Sequence, residues 1–159
     1  MLRVILTLPA GTLEAGEEPF AGARGELLEK TGYASDDWQS LPVRTMHGNA
    51  GGNQMHAFVA RNCRKRAEPN SGDLEDISLE FKTAREILEA IDAGEMPLAS
   101  DSAALLSGCW RSRLLQRSSG RIAIAKRGGK RGQVATRDLP TQPRHQVLIE
   151  LQIVPCQQH

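Results

Sequence analysis

Apolar and polar positions alternate along this chain in short runs that predict strands and helices in mixed order. Arg3 to Leu8 is rich in aliphatic and β-branched residues and reads as a strand, stopped by Pro9 and Gly11. Gly11 to Glu18 reads as a loop. Pro19 suits the first turn of a helix, where its missing N–H costs nothing, and Phe20, Ala23 and Leu27 then recur at helical spacing up to Gly32, a residue suited to the C′ position. Gly22 and Gly25 inside that helix cost about 1 kcal/mol each relative to alanine. Met55 to Ala60 predicts a second strand. Ile77 to Phe81 predicts a third, with Ile77, Leu79 and Phe81 alternating against Ser78 and Glu80. Thr83-Ala84-Arg85-Glu86 has capping-box spacing and opens a helix to about Ala93, closed by Gly94. A short helix is expected from Ser100 or Asp101 to Leu106.

Beyond Gly108 the pattern changes. Arg121 to Lys126 and Gln146 to Val154 are strand candidates, separated by a Gly-, Lys- and Arg-rich stretch, Gly128 to Gly132, that lacks apolar residues and is expected to be mobile. Charge reverses at the same point. Residues 1–106 hold 10 Lys/Arg against 17 Asp/Glu, a net of −7, whereas residues 107–159 hold 10 Lys/Arg against Asp138 and Glu150, a net of +8. This divides the chain into a domain over 1–106 and a basic C-terminal extension over 107–159, with sparse contacts expected between them. The 159 residues suffice for one domain with an appendage, and with 4% aromatic residues the core must be mainly aliphatic.

Cys63, Cys109 and Cys156 are odd in number and far apart, which suggests neither a disulfide framework nor a zinc site, and a reducing cytoplasmic setting is the default. The apolar run Leu2 to Leu8 is too short for a signal-peptide core, and nothing approaches the roughly 20 apolar residues of a membrane span, so a soluble protein without membrane contact is expected.

Chemistry concentrates between Gly11 and Tyr33. Gly11 is followed after five residues by Glu17, and seven further residues lead to Gly25, Glu26, Leu27, Leu28, Glu29, Lys30, Thr31, Gly32 and Tyr33. This resembles the Nudix box, G-x5-E-x7-R-E-U-x-E-E-x-G-U with U apolar, at seven of its nine fixed positions; Gly25 stands for the arginine and Lys30 for a glutamate. Leu8-Pro9-Ala10-Gly11, Asp73 to Ile77, and Gly94 to Leu106 resemble the surroundings of the box in the ADP-ribose pyrophosphatase branch, over roughly residues 2–106. The fold the resemblance implies is α/β: a Nudix-like α/β/α sandwich with a mixed sheet, incomplete at the N-terminus because the family's strands before the box have no counterpart, plus the basic extension.

The function implied is Mg²⁺- or Mn²⁺-dependent hydrolysis of a nucleoside diphosphate-linked small molecule, ADP-ribose or a sugar nucleotide. A diphosphate repels an attacking water, and divalent cations neutralise that charge and activate the water. Hard cations need oxygen ligands, and positions 26, 29 and 30 lie at i, i+3 and i+4 on one helix face. The resemblance assigns metal binding to Glu17, Glu26, Glu29 and the Ala10 carbonyl, and catalysis to Glu29 with Asp73 or Glu75 as the general base. Ordinary solvated-loop roles stand beside these for Glu17, Asp73 and Glu75. Lys30 follows Glu26 in the favourable Glu-to-Lys order, either a surface ion pair or a cation replacing a metal's charge, so activity is expected to be reduced. Arg24 lies about 100° from position 25 around the helix and is a poor substitute for the missing arginine.

The alternative is a non-catalytic Nudix-derived module that binds nucleotides or proteins. A homo-oligomer is expected from open sheet edges and from the resembled branch. Lys126, Arg127, Lys130 and Arg131 could contact nucleic-acid phosphates, but no aromatic residues are interleaved to stack bases. His47 and His56 lack metal-ligand spacing and read as incidental, and Tyr33 reads as core.

Overall fold

The computed structural model describes residues 5–13, 16–46, 54–70, 77–111, 121–127 and 145–153. The order is β1 (Ile5–Thr7), β2 (Ala10–Leu13), α1 (Pro19–Thr31), β3 (Tyr33–Ala34), β4 (Asp37–Ser40), β5 (Arg44–Thr45), β6 (Gln54–Lys65), β7 (Ile77–Thr83), α2 (Ala84–Asp92), α3 (Ala99–Arg111), β8 (Arg121–Arg127) and β9 (His145–Ile153). This is an α/β architecture with three helices and a largely antiparallel sheet. Only the β2–β9 and β8–β9 pairs are parallel among the described strands.

The sheet is organised by a fork. β8 and β9 run side by side only at their starts, where Ile122 and Ala123 pair with Gln146 and Val147. Further along, β8 takes β1 as its antiparallel neighbour, Thr7 opposite Ala125 and Ile5 opposite Arg127, while β9 takes β2 as a parallel neighbour, Ala10 opposite Glu150 and Leu13 opposite Ile153. The chain therefore enters the fork along β8, reverses at Leu8-Pro9 and leaves along β9. Pro9 has no N–H to satisfy. The Leu8 N–H belongs to neither ladder and donates to Asp101 Oδ2 at 3.2 Å, a carboxylate in the first turn of α3 that is itself buried. On the outer side of β1, Leu6 N–H donates to the Glu95 carbonyl at 2.9 Å.

Side chains alternate across this sheet, and the two faces carry separate cores. Met55, Ala57 and Val59 of β6 and Ile122 and Ile124 of β8 pack with Ile87 and Ala90 of α2 and Ala104 and Leu105 of α3. On the other face Phe58, Ala60 and Ala123 pack under Ala23 and Leu27 of α1, with Leu13 and Tyr33. Phe20 fixes the start of α1 over β4 and β6, its ring 5.4 Å from Trp38 and 5.9 Å from Phe58. Helices thus cover both faces of the sheet.

Several expectations change. Gly11 to Glu18 is not all loop, because Ala10–Leu13 is drawn into a ladder by β9, some 140 residues downstream. The last helix extends to Arg111 rather than stopping at Leu106. β6 runs on to Lys65 through a register shift between Ala60 and Cys63, where Asn62 takes a left-handed φ of 53°. The described strands beyond residue 107 do not make sparse contacts: β8 and β9 pair with β1, β2, β6 and β7. The strands that follow the charge reversal lie inside the sheet. The Gly128 to Gly132 stretch and His47 fall outside the described residues. α1 and α2 match their sequence signals: Gly32 caps α1 at φ 74°, and Thr83 and Glu86 form a reciprocal capping box. No helix among the described residues is long and apolar enough to cross a membrane.

Across β7 and β8, Glu80 accepts from Lys126 Nζ at 2.8 Å and lies 3.1 Å from Lys82 Nζ. The Lys126 hydrogen bond, foremost, holds the Glu80 carboxyl below the usual carboxylate range. A depressed folded pKa means stability that is present above the unfolded value, roughly 4.3, and lost as pH falls through the lowered folded value. With Glu80 a third exposed, the contribution is on the order of 0.5 kcal/mol. Glu80→Gln should remove that increment at pH 7 and change little at pH 3, read from urea midpoints. Asp101→Ala leaves the Leu8 donor buried and unmet, and should cost about 2 kcal/mol in the same assay. A loss under about 0.5 kcal/mol would show that the fork does not depend on this carboxylate.

Candidate functional site

α1 begins where Glu18, as N-cap, accepts the Ala21 N–H at 2.9 Å and Pro19 follows at the first helical position. Sequence reading assigned Glu18 no role, although a glutamate directly before a helix-opening proline is a usable signal. The helix then lies across β2, and two of its contacts with the preceding segment are set by glycines. A Cβ on Gly11 would fall onto the Glu26 carboxylate, so that carboxylate rests on the strand backbone at the first box position. A Cβ on Gly22 would come within 2.6 Å of Leu13 Cδ2 and 2.9 Å of Glu17 Oε1, so Glu17 folds back over the first turns of α1. The segment from Gly11 to Tyr33 thus packs as a unit, with Gly11 under Glu26.

Glu26 is half-buried, and its Oε2 lies 3.8 Å from Lys30 Nζ; the Lys30 side chain is only 12% exposed. That is deeper than a solvated surface pair, and at such a position the ammonium holds its place beside the carboxylate rather than sweeping through solvent. Glu29, one turn from Glu26, is exposed, and its backbone carbonyl accepts the Asn70 N–H at 2.8 Å. Arg66 and Ala67 N–H groups both donate to the Gly32 carbonyl, so residues 66–70 are laced onto the end of α1. Ala10 opens β2, one residue before Gly11. Asp73 and Glu75 lie outside the described residues. Tyr33 is buried at the last box position, its ring 5.9 Å from Phe81, and burial pushes its phenol above the usual range.

The described members of this set form no metal cage. Among the described residues no group of three or more His, Cys, Asp or Glu side chains could hold an ion. The carboxylate packed onto Gly11 already faces an ammonium. Position 25, by contrast, is open: nothing lies within 4 Å of a Cβ built on Gly25.

His56 lacks metal-ligand spacing in the sequence, yet it shares the face of β6 with Phe58 and Ala60, which pack beneath α1. It lies in one cross-strand row with Gly11 through Leu151, the register partner of both. Its Nε2 is buried without a hydrogen-bond partner. Only the register could have revealed this, since the row runs through β9.

The glycines make separable predictions in thermal and urea denaturation. Gly25→Ala should stabilise by about 1 kcal/mol, since the added Cβ meets open space and helix propensity improves. Gly32→Ala should cost about 1–3 kcal/mol, because φ is left-handed and the Cβ meets the Ala67 carbonyl. Gly11→Ala should move stability by less than about 1 kcal/mol, because a flexible side chain yields, but it should displace Glu26 from β2. Equal losses for all three would contradict the packing described. No family model matches the chain, and no solved structure matches it.

Proposed function

We propose that the chain is a Nudix-type protein, with a Nudix-like α/β/α fold, that binds nucleoside diphosphate derivatives. ADP-ribose or a sugar nucleotide is the first candidate, and Mg²⁺- or Mn²⁺-dependent hydrolysis is strongly reduced. The observation that carries this reading is the pair of contacts made by Glu26: its carboxylate packs on Gly11, and Lys30 Nζ stands 3.8 Å away. The first contact supports a box that still folds as a unit. The second supports the loss of the charge pattern that a divalent cation requires. An ammonium and a unit positive charge 4 Å apart repel by about 4 kcal/mol at an effective dielectric of 20, and solvent lowers this to a few kcal/mol, still a large factor in affinity. The same observation favours a second reading, in which the chain binds such ligands and hydrolyses none.

The test is phosphate release from ADP-ribose, sugar nucleotides and dinucleoside polyphosphates with Mg²⁺ and Mn²⁺. Lys30→Glu combined with Gly25→Arg should raise turnover at least tenfold over the parent, roughly 1.4 kcal/mol in the barrier, and Glu26→Gln in that background should abolish the gain. The arginine also recovers about 1 kcal/mol of helix propensity, so the restored protein should fold at least as well. A restored protein that folds and binds Mg²⁺ yet hydrolyses none of these substrates overturns the catalytic reading of the site.

A further inference from the structure

We propose that His56 is a ligand-binding residue of the box site, its Nε2–H donating to an oxygen of the bound diphosphate. This rests on the reading that the box engages a nucleoside diphosphate derivative.

Three placements converge on it. The first is the face. Met55, Ala57 and Val59 of β6 belong to the core beneath α2 and α3, while Phe58 and Ala60 belong to the core beneath α1. His56 falls by alternation on the α1 side. Gly11 faces the same side, because the direction a Cβ would take leads onto the Glu26 carboxylate of α1.

The second is the register. Gly11 pairs with Leu151, and Leu151 pairs with His56, so the two residues sit in one row across β2, β9 and β6. Two strand spacings, roughly 9.5 Å, separate them, with Leu151 between.

The third is the unmet atom. His56 Nε2 is buried and makes no hydrogen bond. Folded chains pair nearly all such atoms, and exceptions ask for an explanation such as an absent ligand. An apolar side chain would pack the same space without an unmet polar atom, whereas a ligand oxygen would meet it.

The direction of the hydrogen bond follows from charge. Every oxygen of a diphosphate that carries charge is an acceptor, so the ring nitrogen that meets it donates. His56 takes no proton and breaks no bond in this role. It positions the anion that the altered box holds poorly by metal.

The experiment uses the full chain with ADP-ribose and inorganic pyrophosphate as probes. Calorimetry gives affinity, and long-range ¹H–¹⁵N correlation follows the His56 ring nitrogens. Addition of either probe should shift the His56 Nε2 resonance. His56→Phe should weaken ADP-ribose binding at least tenfold while leaving the thermal midpoint equal or higher, because the unmet polar atom is gone. His56→Gln, which keeps an N–H donor, should stay within about threefold of the parent. A shift with ADP-ribose but none with pyrophosphate overturns the diphosphate contact in favour of a ribose hydroxyl. Parent binding with an unmoved Nε2 and an unaffected phenylalanine variant overturns the role of His56 and leaves the proposed function standing. No binding of either probe by the parent overturns the proposed function, and the role of His56 with it.

Discussion

The fold depends on a single backbone donor. Between β1 and β2 the chain must leave one strand, reverse and join another, and at that reversal the Leu8 N–H faces neither. An unmet amide at a fully buried residue would cost about as much as several ordinary contacts provide. Asp101 meets it from α3, and Pro9 ensures that no second donor needs meeting. The strands of the fork, β8 and β9, both come from the basic part of the sequence, so the acidic and basic parts of the chain meet within one sheet.

The fork also sets the site. By turning the chain at Leu8-Pro9, it lays Ala10 and Gly11 beside β9, under α1, where Glu26 settles on the glycine. It puts β9 between β2 and β6, which brings His56 into the row of Gly11. The helix contributes carboxylates at 26 and 29 and a cation at 30, an arrangement that is neutral at its most enclosed point. In this account, folding stability and metal affinity pull in opposite directions at residue 30. A lysine there compensates a half-buried carboxylate from within the chain, whereas a glutamate would add a like charge that only an external cation could offset.

Local signals were legible and long-range ones were not. Pro19, the Phe20–Ala23–Leu27 spacing and Gly32 delimit α1 from sequence because each acts within a few residues of itself. The Thr83–Glu86 box does the same for α2. The Glu26–Lys30 pair follows from i, i+4 spacing on a helix. β2 was hidden because Ala-Gly-Thr-Leu has weak strand propensity, and only β9 makes it a strand. β3, β4 and β5, at two to four residues each, are too short to show a period and are organised by β6. The charge reversal misled, since net charge concerns solubility and partners and does not specify which strands pair. His56 looked incidental for the same reason that β2 looked like loop: its surroundings come through β9.

The proposed loss of metal affinity rests on Lys30 occupying the charge position that a divalent cation would need. Mn²⁺ titration of the parent chain, followed by electron paramagnetic resonance of the free ion, tests it without reference to any substrate. The free-ion signal should grow in proportion to added Mn²⁺ up to millimolar concentration, with no stoichiometric loss. Uptake of one or two Mn²⁺ per chain at micromolar affinity, with paramagnetic broadening centred on Glu26 and Glu29, would contradict it.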